Sequence, residues 1–184
     1  LVTEVDYANS EAFPSLRGGV NVGVPLPIHN SSVWLYTEAG VAGGNRNSPL
    51  SSFYMGGFGN NLVDDREVKR YREYESFPGF DIDEIDARHF GRAMVEWNLP
   101  PLRFRDIGVP SLFLSSARTA VFAGELYAEP NFGPSRSLQT LGAQIDFNFT
   151  AALRLPMTLS IGYAEGFEDG EHEGGQALFS LKIM

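Results

Sequence analysis

The feature that most constrains this fold is a run of strict alternation at residues 141–153. Its odd positions are apolar and its even positions are small or polar: Leu141, Ala143, Ile145, Phe147, Phe149, Ala151 and Leu153 against Gly142, Gln144, Asp146, Asn148, Thr150 and Ala152. A period of two is that of a β-strand with one apolar face. The run spans thirteen residues, more than a typical globular strand needs. We therefore expect a sheet of long strands.

The same period recurs along most of the chain. Residues 1–13 are irregular and are expected to be an incoming strand end or a loop. Pro100 and Pro101 end one of the alternating segments, because proline cannot donate to a sheet ladder. Including the opening run, the sequence predicts about eight strands, at residues 16–28, 33–43, 52–59, 90–99, 111–126, 141–154, 157–167 and 175–184.

One long charged stretch, residues 60–89, interrupts this series. Its centre is an aromatic-Pro-Gly-aromatic turn, the loop tip, formed by Phe77, Pro78, Gly79 and Phe80. Basic residues precede the tip and acidic residues follow it. A loop of this length inside a compact domain is usually functional, or else a sign that a secondary-structure element within it has been misassigned.

Composition bounds the class of protein. A chain of 184 residues is long enough for one domain with a core, and we assign residues 1–184 to one domain. The net charge of −9 opposes a nucleic-acid partner, because phosphate binding needs a basic surface. No stretch is apolar enough for a transmembrane helix. A membrane barrel remains open, since its strands are apolar only at every second position.

Three features favour a transmembrane barrel over a soluble sandwich. The strands reach the length that a tilted crossing requires. Their second face carries Gly, Ser, Thr, Asn and Gln, which suits a hydrated interior. The connections are long and charged at 60–89 and 168–173 but short at 155–156. The predicted fold is an all-β, antiparallel transmembrane β-barrel with one long loop. A small self-closed eight-stranded pore, a pairing of two copies and a soluble β-barrel ligand binder stay open as alternatives.

The sequence carries no catalytic motif, and we predict neither an enzyme nor a cofactor. The three histidines, His29, His89 and His172, are far apart and show no metal-ligand spacing, so no metal site is predicted. The charged residues around the loop suggest a buried ionic network that holds it in place. Its candidate members are Arg66, Arg70, Arg72, Arg92, Asp81, Asp83, Asp86, Glu96 and Asp146.

Two short motifs and the loop between them resemble a known family. Residues 53–57 are Phe-Tyr-Met-Gly-Gly, the tip is aromatic-x-Gly-aromatic, and residues 93–100 are Ala-Met-Val-Glu-Trp-Asn-Leu-Pro. In this order they resemble the carboxy-terminal half of the barrel of the outer-membrane assembly and translocation superfamily. This is the bacterial surface antigen group, which includes BamA-type and two-partner-secretion proteins.

The resemblance implies the last eight strands of a sixteen-stranded barrel. The loop at 60–89 would be the external loop between strands eleven and twelve, folded back into the lumen. The implied location is the bacterial outer membrane, where the barrel assembles or translocates proteins or anchors an upstream domain. The implied partners are the lipid bilayer and lipopolysaccharide, with outer-membrane assembly machinery or a translocated protein.

Three positions depart from the family pattern. The family's tip has Arg where this chain has Pro78. Its partner strand has Asp two residues before a Gly, and Phe122 stands in that place before Gly124. Bacterial outer-membrane proteins commonly end in Phe, and this chain ends in Met184. The family's salt bridge from loop to wall is therefore not carried over to these residues.

Overall fold

The structure, a computed structural model, describes residues 1–8, 11–28, 30–58, 68–109, 111–152 and 154–183. It is all-β apart from two short 3-10 turns at Pro49–Ser51 and Arg70–Arg72. The strands are β1 (Val2–Ala8), β2 (Glu11–Pro25), β3 (Ser32–Ala42), β4 (Phe53–Met55), β5 (Ile85–Ala87), β6 (His89–Asn98), β7 (Leu102–Val109), β8 (Leu112–Glu129), β9 (Arg136–Ala151), β10 (Leu155–Glu168) and β11 (Glu171–Ile183). Among the described residues, no helix is both long and apolar enough to span a membrane.

Nine of the strands form one antiparallel sheet in the order β1-β2-β3-β6-β8-β9-β10-β11, with β7 paired to β8. Asn98 of β6 pairs with Ala120, and Leu102 of β7 pairs with Ala117. The strands β6 and β7 therefore lie end to end along β8, separated at the two prolines. Within the described residues β1 and β11 do not pair with each other, so the sheet is open.

The predicted strand at 52–59 is wrong. Of its described residues, 52–58, only Phe53–Met55 form a strand, and this strand pairs with β5 in a separate two-stranded sheet. Gly56 and Gly57 have φ values of +147 and +65, a conformation that side chains other than glycine's rarely adopt. These two glycines turn the chain away from the main sheet. The main sheet still has eight strand positions, because β1 forms within residues 1–13, the stretch expected to be a strand end or a loop.

Two other expectations need correction. The alternation pattern predicts no strand directly after Pro101, yet β7 forms there. The expected acidic loop at 168–173 is a tight hairpin turn instead. Asp169 and Gly170 both have positive φ, as the two central residues of a type I′ turn require. Of the connections described as long and charged, only the loop before β6 is long.

The two faces of the sheet differ as the alternation predicts. On β9, Leu141 and Ile145 are 56% and 37% exposed, whereas Gln144 and Asp146 are 1% and 4% exposed. We name the face with the buried even positions of β9 the covered face, and the opposite one the free face. The all-β, antiparallel prediction is confirmed.

The loop before β6 folds onto the covered face and creates the core there. One cluster joins the loop tip to the strand ends and consists of Met55, Phe77, Phe80, Ile85, Ala87, Phe90, Leu126, Ala128 and Leu138. A second cluster lies farther along the same face and consists of Phe58, Tyr71, Met94, Ala120, Phe122 and Ala164. The sheet thus buries apolar residues against its own loop and leaves the free face open.

Candidate functional site

The candidate site is the loop itself and the chamber beside it. We divide its central part into the crossing segment, residues 68–76, and the tip, residues 77–80. Together they contact strands from β2 to β10 across the covered face. The contacts are Tyr74 with Arg17 on β2, Arg72 with Tyr36 on β3, Arg72 with Glu96 on β6, Tyr71 with Phe122 on β8, Pro78 with Thr140 on β9 and Gly79 with Gly166 on β10.

The tip docks by close backbone packing. Phe77 and Phe80 are 1% and 3% exposed. Gly79 has a φ of +99, and a Cβ added to it would lie 2.3 Å from the backbone nitrogen of Gly166. A Cβ added to Gly166 would lie 2.5 Å from the carbonyl oxygen of Gly79. Because each would collide with the other's backbone, glycine is required on both sides of this contact.

One hydrogen bond fixes the tip in addition to packing. The hydroxyl of Thr140 donates to the carbonyl oxygen of Pro78 at 2.5 Å, and both groups are buried. The neighbouring segment supports the tip, since the Gly57 amide donates to the Phe80 carbonyl at 3.0 Å. Gly57 also forms a β-bridge with Phe77. The tip is therefore held by β9, by β10 and by the segment preceding the loop.

The crossing segment docks by charge. Glu96 is fully buried and accepts two hydrogen bonds from Arg72, from Nε and from Nη2, each at 2.7 Å. Lys69 Nζ donates to the same carboxylate at 2.9 Å and also donates to the side-chain oxygen of Asn98. A bidentate guanidinium–carboxylate pair is among the stronger charge-assisted contacts in proteins. Glu96 is thus the anchor for this part of the loop.

The two cations respond differently to this environment. Burial lowers the pKa of Lys69, and the charge of Glu96 opposes that effect only in part. Burial also acts to lower the pKa of Arg72, but the hydrogen bonds and charge of Glu96 outweigh it and raise the pKa. Arg72 therefore stays charged near neutral pH.

Arg92 binds backbone. It is buried, and its guanidinium donates to the carbonyl oxygens of Tyr71 at 2.7 Å, Glu73 at 2.8 Å and Tyr74 at 3.3 Å. These carbonyls belong to the 3-10 turn of the crossing segment and the residues after it. Arg92 satisfies buried acceptors that the irregular backbone leaves without a ladder partner.

Aromatic contacts complete the attachment. The rings of Tyr71 and Phe122 stack with centroids 4.0 Å apart. Phe122 is the residue that stands where the resembling family has Asp, so an apolar contact occupies this position. Burial raises the pKa of Tyr71, which keeps its hydroxyl neutral. On the covered face near β2, the Arg17 guanidinium lies 3.4 Å from the ring centroid of Tyr74. Burial and Glu75 raise the pKa of Tyr74 to about 12.

The structure brings only part of the predicted ionic network together. Arg72 meets Glu96, whereas Arg70 lies 3.7 Å from Glu73. Asp146 accepts hydrogen bonds from Gln144 at 2.6 Å and from Ser160 at 2.7 Å, within the sheet.

The carboxylates after the tip lie away from Glu96. Asp81 and Asp83 are exposed and Asp86 is half-buried. Arg66 lies outside the described residues. The acidic run thus lines the outer side of the loop, and the basic run lies beneath it. Sequence reasoning did not include Lys69, Tyr71, Thr140 or Gly166 among the site residues, although Lys69 flanks the tip in the basic run.

A chamber of about 1110 Å³ lies between the crossing segment and the covered face. Its walls are polar and aromatic, and they include Asn21, Trp34, Tyr36, Asn98, Arg118, Asp146, Asn148 and Thr158. Such a lining suits water and polar chains better than an apolar ligand. Across the part of the chain that the structure describes, no three His, Asp or Glu side chains are placed to hold a metal ion.

Comparison with known proteins adds no relative to this picture. No protein-family model, no curated protein and no solved structure matches the chain.

Proposed function

We propose that this chain is the carboxy-terminal part of an outer-membrane β-barrel of the bacterial surface antigen type, which assembles or translocates proteins or anchors an upstream domain. In this proposal the free face meets lipid and the covered face lines the lumen. The loop before β6 is the lumenal plug. The proposal rests on one observation above all: the longest connection lies across the polar face, while the opposite, apolar face is uncovered.

The free face supports a lipid contact. Its residues are apolar on neighbouring strands and remain well exposed, as Val22, Leu35, Val95, Leu141, Ile161, Phe179, Leu181 and Ile183 are. An exposed apolar surface continuous over a whole sheet is unusual in a soluble monomer. In a membrane barrel it is the expected outer surface.

The position of the loop supports the family assignment. Taking β6 and β7 as one path, five sheet positions follow the loop and three precede it. The family resemblance places the loop before the last five of sixteen strands. Residues 52–59 do not form a strand of the main sheet, but β1 does. Three sheet positions therefore still precede the loop.

The alternatives fit less well. A self-closed barrel of eight strands has an interior just filled by its own side chains, and here the covered face also accommodates the loop. A soluble ligand-binding barrel needs an apolar interior, whereas Gln144, Asp146 and Thr158 lie on the covered face. A plug in a wider barrel accounts for both features.

Heat-modifiable migration tests the proposal. The chain is refolded in detergent or lipid vesicles and run on a denaturing gel with and without boiling. A membrane barrel migrates faster before boiling, alone or together with added upstream strands. A chain that is a soluble monomer without detergent would overturn the proposal.

Trypsin tests the plug separately. Lys69, Arg70 and Arg72 are cleavage sites in the crossing segment, and Arg46 is an exposed site outside it. We expect cleavage at Arg46 while the crossing segment resists. Equal cleavage rates at both places would contradict a docked plug even if the barrel forms.

A further inference from the structure

Among the described residues, the two ends of the sheet differ in charge: acidic residues outnumber Arg46, Arg88 and Arg136 at one end, and basic residues dominate at the other. At the end where the loop enters and leaves, the turns are acidic, with Asp6, Glu11, Asp81, Asp83, Glu84, Glu129, Glu168, Asp169, Glu171 and Glu173. We call the opposite end, which holds the β7–β8 and β9–β10 turns, the short-turn end. The cations described there are Arg103, Arg105, Arg154 and Lys182. This separation of charge is not needed to dock the loop.

The two hairpin tips at the short-turn end form one surface. Leu112 of β8 pairs with Ala151 of β9. The amide of Ala152 also donates to the carbonyl of Ser111 at 2.8 Å, which ties one turn to the other. Arg105 and Arg154 are both exposed, so two guanidinium groups project from adjoining hairpins.

Apolar side chains on the same hairpins are also exposed. Leu102, Ile107, Val109, Leu112 and Leu155 are between 40% and 62% exposed. Register places Ile107 opposite Leu114, and Leu114 opposite Phe149 on the free face. Among the described residues, the apolar free face therefore extends into the hairpins that carry the two arginines.

We propose that the short-turn end binds anionic phospholipid headgroups of the leaflet on that side, through Arg105 and Arg154, with the adjoining apolar residues in the acyl region. This inference rests on the proposed membrane-spanning function. A basic group beside an apolar surface can contact both parts of an anionic lipid. The basic group attracts the charged headgroup, and the apolar surface packs against the acyl chains. Arginine suits the phosphate because its guanidinium donates two parallel hydrogen bonds.

Lipid quenching tests the inference directly. The chain has no cysteine, so Ser111→Cys carries a single fluorescent label at the short-turn end. It is refolded into vesicles of phosphatidylcholine and phosphatidylglycerol of one fixed composition, with bromine on one lipid or on the other. Per mole of brominated lipid, we expect phosphatidylglycerol to quench the label at least about twofold more than phosphatidylcholine.

Matched variants assign the effect to the two arginines. Arg105→Gln with Arg154→Gln should bring the ratio to one, whereas Arg46→Gln, an exposed arginine at the other end, should leave it unchanged. A label at Ser135→Cys, in the turn between β8 and β9, should show no preference. Added salt should reduce the preference in the unsubstituted chain, since exposed charges are screened. That measurement holds even if the double variant fails to refold.

The outcomes separate the two proposals. Equal quenching by the two brominated lipids would overturn the headgroup site and leave the barrel proposal standing. A preference that persists in the double variant would overturn the headgroup site as well. Absence of quenching by either lipid would mean that the chain does not enter the bilayer, and both proposals would fall.

Discussion

The tip and the crossing segment are neighbours in sequence but dock on the sheet by different physics. The tip presents backbone to backbone, with Gly79 against Gly166 and a carbonyl against Thr140. The crossing segment presents charge, with Arg72 and Lys69 on one buried carboxylate, Glu96. Packing against backbone tolerates no added atom, whereas long cationic side chains adapt.

This difference gives the two parts of the loop different roles in docking. The tip fixes position, because a contact between two glycines exists in only one register. The crossing segment supplies a contact that protonation or a competing charge can weaken without moving the backbone of the sheet.

The largest expected effect is at the tip. Gly79→Ala should lower the free energy of unfolding by about 3 kcal/mol, from left-handed backbone strain and from overpacking against Gly166. Urea unfolding in detergent, followed by tryptophan fluorescence, measures it. Trypsin cleavage at Arg72 should also accelerate.

Two control variants divide this effect. Gly133 has a φ of +103 and open space around it, so Gly133→Ala carries only the strain, about 1 kcal/mol. A Cβ at Gly91 meets nothing within 4 Å, whereas one at Gly166 meets the tip. Gly166→Ala should therefore lower the free energy of unfolding, and Gly91→Ala should leave it nearly unchanged. Equal losses at Gly166 and Gly91 would show that the tip is not docked in solution.

The next effect is at the charged anchor. Glu96→Gln leaves Arg72 and Lys69 with a neutral acceptor in place of a carboxylate. In the same urea experiment it should lower the free energy of unfolding by about 2 kcal/mol. Glu129→Gln, at an exposed site, is the matched control and should change nothing measurable. Once Glu96 is Gln, adding Arg72→Gln should cost little more, because the pair acts as one unit. Additive losses would refute the pairing.

Local pattern predicted the sheet but only half of the contacts that dock the loop. Alternation along β9 and β10 identified those strands, because successive side chains of a strand point to opposite faces of the sheet. It missed β7, which is short, follows two prolines, and shifts its register between Arg103 and Ile107. Glu96 and Arg72 were both named as charged candidates, but their pairing depends on a chain reversal that leaves no local pattern.

The apolar half of the docking was harder to predict. The contact between Gly79 and Gly166 joins backbones 87 positions apart, and a glycine in a strand carries no sign of what approaches it. The stack of Tyr71 on Phe122 was likewise invisible, although Phe122 in the place of an acidic residue was a signal that the partner would not be a cation.

A smaller effect is expected from the hydrogen bond at the tip. Thr140→Val keeps the shape of the side chain and removes the donor to the Pro78 carbonyl, which should cost about 1 kcal/mol. Thr37→Val removes an exposed bond to the Val20 carbonyl and should cost less in the same urea titration. If the two variants lose the same amount, the buried carbonyl has another donor in solution.

The smallest effect is a pH dependence at the crossing segment. Burial holds the pKa of Lys69 below its ordinary value of 10.5, so between the two values the unfolded chain binds a proton that the folded chain has released. Stability then rises with pH in this window, by less than about 1 kcal/mol. Measurement below pH 10 avoids Tyr71 and Tyr74, whose raised pKa values act in the opposite sense above it. Lys69→Met and Lys69→Arg should both abolish the rise. Methionine has no proton to release, and arginine stays protonated in both the folded and the unfolded chain. A rise that persists in both variants would place its origin in groups other than Lys69.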